Sequence, residues 1–527
     1  MKTSSSSSGG VARGVFTVAS FTSLSRVLGM VREILQSRLV GAGVEQSAFT
    51  LAFALPNLAR KLFGEGALTA AFVPVFKAEV ESGDMESARK LARAVLTMSV
   101  LMLSSLVVLA LAAIGVFAGV EPGGLSARAG LTVGLVRTLL PYMVFICGAA
   151  FGMGVLNALG RFKASGAMPC LLNVFWIAAL ATVSFFPQWS LQMRVRVVAW
   201  AILCAGAAQF AFMLWRMHAA GISPRLSFAG WRSEKVRKVW RNTAVAAVGA
   251  GAVQINCMLD QFLAQLASPW AAGVIGYAER LMDLPLGVIA VSFGTVLLPA
   301  FSGSFARGDI TAAKKTFSDS VGNMMFLMIP AAAGMAVLAP EITSVIYEGS
   351  AFDAMASLRV SRALAIYALG LAFFGYQKAV VPWFQAQNDM KTPLSVSVKM
   401  VFLNAALNIL SVFLLPVEWR HAGLAGSTVV SSAAGGGILT LIAVRRHGGL
   451  GLSEAIPCIL RTIAAAVAMA VALLSLKPMM QATGVLTVLA AEIVAGGVVF
   501  TVTAYILGER KFLIRLRRRN IKAVDKP

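Results

Sequence analysis

Charge is what this chain has least of, and negative charge is the scarcer sign. Only 13% of its 527 residues are charged, and acids number 23 against 46 bases. A soluble chain of this length divides into domains with polar surfaces. With 58% hydrophobic residues there is no such surface to build, so a large soluble domain is excluded. Histidine occurs three times (His218, His421, His447) without the spacing of metal ligands, and the five cysteines (Cys147, Cys170, Cys204, Cys257, Cys458) lie in or beside apolar runs with no C-x-x-C pair. Neither a structural metal nor a disulfide framework is expected, and the cysteines read as small packing residues. Walker, H-E-x-x-H and acidic magnesium-binding motifs are missing too, which leaves ATP hydrolysis and metal-assisted transfer without their equipment.

What the chain has in quantity is long apolar runs. They fall at 14–40, 46–63, 91–118, 130–155, 166–186, 195–217, 243–267, 273–302, 316–338, 357–384, 394–414, 421–445, 456–476 and 484–507, each of a length to cross a bilayer as a helix. The expected fold is therefore an all-α polytopic membrane protein of about 14 transmembrane helices. Sorting Lys and Arg by loop puts about 32 on the side of the termini, about 7 opposite and about 7 within spans, so both termini are expected in the cytoplasm. The serine-rich start reads as a disordered cytoplasmic tail over 1–13, and the first span, interrupted by Ser20, Thr22, Ser23, Ser25 and Arg26, as a retained helix rather than a signal peptide. The net charge of +23 sits mainly in loops, where topology and anionic lipids account for it and nucleic acid is not implied. The most basic pieces are the connector 218–242, with Arg232, Lys235, Arg237, Lys238 and Arg241, and the tail 508–527, with Arg515, Arg517, Arg518 and Arg519.

The chain repeats itself. Phe72-Val-Pro74-Val-Phe76, then Gly83-Asp84 and Ala88-Arg89-Lys90, return as Leu297-Leu-Pro299-Ala-Phe301, Gly308-Asp309 and Ala313-Lys314-Lys315. The offset is about 225 residues, and Asn157-Ala158 to Lys163 is echoed by Gln385-Ala386 to Lys391 at nearly the same distance. Two six-helix lobes in parallel orientation follow, 14–217 and 243–445, with 446–507 holding two further spans. Duplicated lobes that rock about a shared central cavity are a transporter signature.

A charge at the centre of a span costs at least about 2.5 kcal/mol unless it meets a partner or a wet cavity. The first span carries several. Arg26, Gly29 and Glu33 lie on one stripe, with Arg32 rotated roughly 120° from Arg26 on an ideal helix. Both arginines line one cavity if it is wide or if the helix bends at Gly29, a candidate hinge; the alternative is an internal Arg26–Glu33 pair. In the eighth span Glu279 and Asp283 flank Arg280, and Pro285 interrupts the helix just beyond. In the second span Pro56 precedes Asn57, Arg60, Lys61 and Glu65, which read equally as site residues or headgroup anchors. Arginine at 26, 32 and 280 favours a phosphate, because a guanidinium grips phosphoryl oxygens with two N–H groups. Asp260, Asn404 and Asn408 are candidate ligands for a monovalent cation, or else interhelical hydrogen bonds. Lys378 and Lys399 are further intramembrane charges.

The runs Ser25-Arg26-Val-Leu-Gly29-Met-Val-Arg32-Glu33, Ala52-Phe-Ala-Leu-Pro56-Asn57-Leu-Ala-Arg60-Lys61-Leu-Phe-Gly-Glu65-Gly66-Ala67 and Tyr277-Ala-Glu279-Arg280-Leu-Met-Asp283-Leu-Pro285-Leu-Gly287, with Asp389-Met-Lys391-Thr392-Pro393, resemble the MurJ/MviN family over nearly the whole chain. The resemblance implies the multidrug/oligosaccharidyl-lipid/polysaccharide exporter superfamily, two six-helix lobes, and a groove for a polyprenyl tail along spans thirteen and fourteen. The implied cargo is lipid II, an undecaprenyl-pyrophosphate-linked glycopeptide, flipped from the cytoplasmic to the periplasmic leaflet of the bacterial inner membrane for cell-wall synthesis. By motif position Arg26, Arg32 and Arg280 match the family's cavity arginines and Arg60 another basic residue important there. Ser47 stands where the family often has Asp, and Lys61 replaces a common arginine. A monomeric transporter rather than an enzyme is expected, without a cofactor, reset by a monovalent cation or by the membrane potential.

Overall fold

The computed structural model describes residues 6–120, 126–479 and 484–509. Among these the chain is helical almost throughout, and the only strand-like pairing is a bridge between Gly349 and Phe352. Eleven helices or helix pairs are long and apolar enough to cross a membrane, and the remaining expected spans, 14–40, 46–63 and 243–267, are helical as well. The first of them carries Arg26, Arg32, Glu33 and Arg38 along one helix.

Two compact units divide the chain, Met1–Gln265 with Gly349–Phe352, and Leu266–Glu348 with Asp353–Pro527. The first contains α1 (Ser6–Val40), α2 (Val44–Ala59), α3 (Leu68–Glu81), α4 (Met85–Val120), α5 (Ala127–Leu139), α6 (Tyr142–Ala158), α7 (Phe162–Ser184), α8 (Leu191–Ala219) and nearly all of α9 (Glu234–Ala267). The second contains α10 (Ala271–Pro285), α11 (Val291–Ala306), α12 (Ile310–Val337), α13 (Ala339–Tyr347), α14 (Ala354–Gln385), α15 (Lys391–Leu414), α16 (Val417–His447), α17 (Ile456–Leu476) and α18 (Val485–Ile506).

Several boundaries differ from the apolar runs, each for a local reason. α1 starts at Ser6, so the part of the expected tail from Ser6 on is helical; no proline stands before Pro56 to stop it. The expected span 130–155 is two helices broken at Leu140 and Pro141. The second span does not end near 63: α2 continues through a π-helical turn, Arg60–Ala67, into α3. Span eight does the same, α10 passing through the π turn Leu286–Ala290 into α11. Moved by the repeat's offset of about 225 residues, the first π turn lands on the second, so the duplication extends to backbone geometry. α13 was not foreseen, because its apolar residues continue the run of α12.

Small residues let the helices approach. In the first unit a Cβ on Gly206 of α8 would stand 2.4 Å from the Tyr142 ring, and one on Gly148 of α6 would stand 2.5 Å from Phe210. Phe72 of α3 meets Phe151 of α6 at 4.6 Å. In the second unit Trp383 of α14 sits edge-on to Phe301, Phe305 and Phe317, and Gly370 of α14 admits Val429 of α16. Such contacts take the place of the hydrophobic effect, which lipid does not supply between helices.

The basic connector is pinned rather than loose. Lys235 donates to Glu79 at 2.6 Å and to Ser87 at 3.0 Å, Arg89 to the Gly221 carbonyl and Arg93 to that of Ser223. The Lys235 bond, then that from Ser87, holds Glu79 below the usual carboxylate range. The segment 510–527, with the arginine cluster of the expected tail, lies outside the described residues.

Between α1 and α2 the chain turns at Gly41, with φ +81°, against the loop 349–352 of the same unit. A Cβ there would stand 2.1 Å from the Ala351 carbonyl oxygen, and the Ala351 amide donates to the Arg38 carbonyl at 3.1 Å. Gly41→Ala combines left-handed strain with that clash and should cost about 1–3 kcal/mol. Thermal unfolding of the purified full-length protein checks this; an unchanged midpoint would mean the turn is not held against 349–352.

Candidate functional site

In the first unit the predicted charges of α1 separate into two environments. Arg26 is exposed and lines a cavity of about 280 Å³ with Ser25, Asn157, Phe162, Ser165, Gly166 and Pro169. Arg32 is held. One guanidinium nitrogen donates to Asn173 Oδ1 of α7 at 3.0 Å, another to the Glu33 carboxylate, and the group lies 4.4 Å over the Trp176 ring. Glu33 therefore pairs with Arg32, and the alternative Arg26–Glu33 pair is not the one formed. Trp176 and Gln36 continue the network, Trp176 Nε1 donating to Gln36 Oε1 at 3.1 Å and Gln36 Nε2 to Gln46 Oε1 at 2.9 Å. Arg32 Nε is buried and has no hydrogen-bond partner. α1 is unbroken at Gly29, where an added Cβ would meet only Asn173, at 3.9 Å.

Arg60 opens the first π turn and points both Nε and Nη2 at Asn57 Oδ1, at 3.1 and 2.8 Å. Lys61 is exposed, Pro56 is buried in α2, and the Glu65 side chain lies outside the described residues. Ser47 is fully buried, with its carbonyl accepting from Gln265 Nε2 at 2.6 Å. Asp260 accepts from Asn256 one turn earlier on α9, at 3.3 Å.

In the second unit, α10 carries Glu279, Arg280, Asp283 and Pro285. Glu279 is half-buried and accepts from Tyr367 of α14 at 3.2 Å, while Arg280 and Asp283 are exposed on the helix surface. Pro285 ends α10 directly before the π turn. Asn408 donates to Asn404 at 3.0 Å along α15, and Asn404 lies 3.5 Å from Thr428 of α16. These are the bonds that asparagines make within and between membrane helices. Asp260 belongs to the first unit and the two asparagines to the second.

Asn173 and Trp176, which fix Arg32, were not foreseen. Their signal was faint, an amide and an indole one turn apart in an otherwise apolar fifth span. The motif around Asp389 is structural. Asp389 caps α15, accepting from the Thr392 amide at 3.0 Å and its hydroxyl at 2.6 Å, and pairs with Arg446 at the end of α16 at 2.6 Å. The Thr392 bonds, with help from Arg446, bring its carboxyl down to about 2. At the matching place in the first unit Arg161 donates to the Ala219 carbonyl at the end of α8, joining the same pair of helix ends without a carboxylate cap.

Duplicated helical units, intramembrane arginines and π turns at matching positions define a two-lobed membrane transporter. Comparison with known structures agrees on the fold. A solved "Lipid II flippase MurJ, inward closed conformation" superposes with a TM-score of 0.76 at 21% identity, over 94% of this chain and 99% of that one. An inward-facing multidrug resistance MATE transporter of the MOP superfamily gives 0.67 at 14% identity, over 81% of this chain and 95% of its own. The profile of the MurJ family, described as lipid II flippase MurJ, matches residues 36–495. A probable lipid II flippase MurJ of Rhizobium tropici is 35% identical over 75% of this chain and 74% of its own length. The lipid II flippase MurJ of Burkholderia cenocepacia is 30% identical over 83% of this chain and 84% of its own. The chain belongs to the MurJ family.

Asp389 gives a pH prediction. Because its carboxyl titrates lower in the folded protein than in the unfolded chain, the clamp's contribution is complete above about pH 4 and is lost as pH falls towards 2. Asp389→Asn should lower the thermal midpoint by a few degrees at pH 7 and narrow its gap to wild type as the pH approaches 2. A gap that stays constant with pH would refute the clamp.

Proposed function

We propose that this chain flips lipid II from the cytoplasmic to the outer leaflet by alternating access, as a transporter and not an enzyme. Family membership across residues 36–495 carries this reading, and the charges of α1 and α10 give it chemistry. A pyrophosphate needs cations that are present inside the membrane yet affordable there, and the two units supply Arg26 and Arg32, and Arg280, respectively. Arg32 is the preorganised one. Asn173, Glu33 and Trp176 hold its plane, so little side-chain entropy remains to be lost on binding, and its unbonded Nε–H is a donor that a phosphoryl oxygen satisfies. Arg26, exposed beside Ser25, Asn157 and Ser165, is free to follow a moving headgroup. Arg60, Lys61 and Glu65 serve as secondary contacts, and Glu279 and Asp283 keep Arg280 oriented.

The polyprenyl tail stays in lipid along α17 and α18, anionic lipids meet the basic connector and tail, and the protein works as a monomer. A monovalent cation at Asp260, or at Asn404 and Asn408, or else the membrane potential, resets the cycle; one charge crossing the field is worth about 2.3 kcal/mol per 100 mV. Gly29, Pro56 and Pro285 are the proposed hinges. The membrane is the bacterial inner membrane, with both termini in the cytoplasm.

Headgroup translocation of labelled lipid II in proteoliposomes tests cargo and site together. Arg26→Ala, Arg32→Ala and Arg280→Ala should each slow it about tenfold or more, the worth of a charge-assisted hydrogen bond. Asn173→Ala should slow it less, because Arg32 keeps Glu33 and Trp176. Unchanged rates in all three arginine variants would make these charges structural. For topology, a fluorescent protein fused to the C-terminus should fluoresce and alkaline phosphatase fused there should be inactive; the reverse pattern overturns the orientation.

A further inference from the structure

The second unit buries a carboxyl group that the flippase chemistry does not use. α18 turns Leu489, Glu492, Gly496, Phe500 and Ala504 inward, a stripe in which only Glu492 is polar. The surroundings are tightly apolar: a Cβ on Gly496 would stand 3.3 Å from Leu473 and 3.5 Å from Met469 of α17, and Phe326 of α12 lies 5.3 Å from Phe500. Glu492 is 1% exposed, and both of its carboxyl oxygens are buried without a hydrogen-bond partner. A leucine at this place would satisfy the packing at no electrostatic cost.

Among the described residues the charged groups acting on Glu492 are Glu341 of α13 and Lys477, just past α17. Those two form an ion pair at 2.8 Å. Lys477 also donates to the Val337 carbonyl at the end of α12, at 2.7 Å, and the second oxygen of Glu341 is buried without a hydrogen bond. Two carboxyls therefore compete for one ammonium, and a single proton completes the set. Glu341 also lines a cavity of about 330 Å³ with Ser344, Glu348, Ser357 and Ser361, so one carboxyl of the cluster borders a hydroxyl-rich space.

We propose that Glu492 is a proton-binding site on α18 that controls the tie Lys477 makes between the end of α17 and the ends of α12 and α13. With a proton taken from water, the Glu492 carboxylate becomes a neutral acid that tolerates the apolar stripe, and Lys477 stays with Glu341 and Val337. When the proton returns to water, the Glu492 carboxylate draws Lys477 away and the tie across α12, α13 and α17 loosens. The site is independent of the cargo, since it involves none of the arginines of α1 and α10.

Infrared difference spectra of the full-length protein in nanodiscs, stepped from acid to alkaline pH in H₂O and D₂O, test this directly. Wild type should show a buried protonated-carboxyl C=O band that disappears on alkalinisation, and Glu492→Gln should lack it. Superimposable wild-type and Glu492→Gln spectra would overturn the proposal. Should Glu492→Gln fail to fold, Glu341→Gln provides the second reading. With its competitor gone, Glu492 should claim Lys477 and its band should disappear about one pH unit or more earlier; an unmoved transition overturns the competition. Repeating the titration in sodium-free and sodium-rich buffer separates a proton from a metal cation, and a sodium-dependent transition counts against the proton.

Discussion

Hydrocarbon offers a buried charge neither a hydrogen bond nor a counterion, so an ionisable group inside this bundle needs a partner on a neighbouring helix or a polar opening. That constraint reaches further than the charges themselves. Arg32 requires Asn173 and Trp176 on α7, and Trp176 requires Gln36, which in turn requires Gln46 on α2. One guanidinium thereby dictates polar residues on three helices and locks their rotation about one another. Glu279 with Tyr367 does the same for α10 and α14, and Lys477 with Glu341 for the ends of α12, α13 and α17. Buried ion pairs of this kind add little net stability. Their effect is to make one helix arrangement acceptable and its near alternatives expensive.

Duplication gave both units the same answer to a second problem, how a membrane helix changes direction without exposing its backbone. In each, a helix with a proline in or at the end of its last turns passes through a π turn and continues as α-helix, α2 to α3 and α10 to α11. Proline removes an N–H and displaces a carbonyl. Wider i→i+5 bonding re-forms the ladder with one more residue per turn, which shifts the register of everything beyond. Arg60 and Lys61 fall within the first such turn, so their directions are set by π rather than α geometry.

Much of this was open to a reader of the sequence, and the rest was hidden for definable reasons. Apolar runs locate helices because the bilayer demands about twenty such residues, and the repeat of Pro74 and Pro299 in like surroundings announced two related halves. The π turns were invisible, since residues such as Leu286 to Ala290 suit either helix. Pro141 marked its break, but only for a reader who let one proline outweigh the apolar residues on both sides. At the site the charged residues announced themselves by being costly. Their partners did not: Asn173 and Trp176 are ordinary in a membrane helix, and only the fold brings them to Arg32. For the same reason the Arg32–Glu33 pair, between chain neighbours whose side chains leave a helix about 100° apart, lost on paper to the better-aligned Arg26–Glu33.

A transporter of an anionic headgroup must also let it go, and the contrast between Arg26 and Arg32 bears on that. A cluster of fully exposed arginines would bind a pyrophosphate tightly and hold it. In the proposed cycle Arg32 already has a carboxylate, an amide oxygen and an indole face, so an incoming phosphate would compete with Glu33 rather than meet a bare cation. Its gain is the difference between two sets of charge-assisted bonds, smaller than either alone. Once the phosphate left, Glu33, one residue away, would retake the guanidinium, and Arg32 would not be left unpaired. Internal neutralisation thus lowers both the cost of the empty site and the depth of the loaded one, which is what a carrier, unlike a receptor, requires.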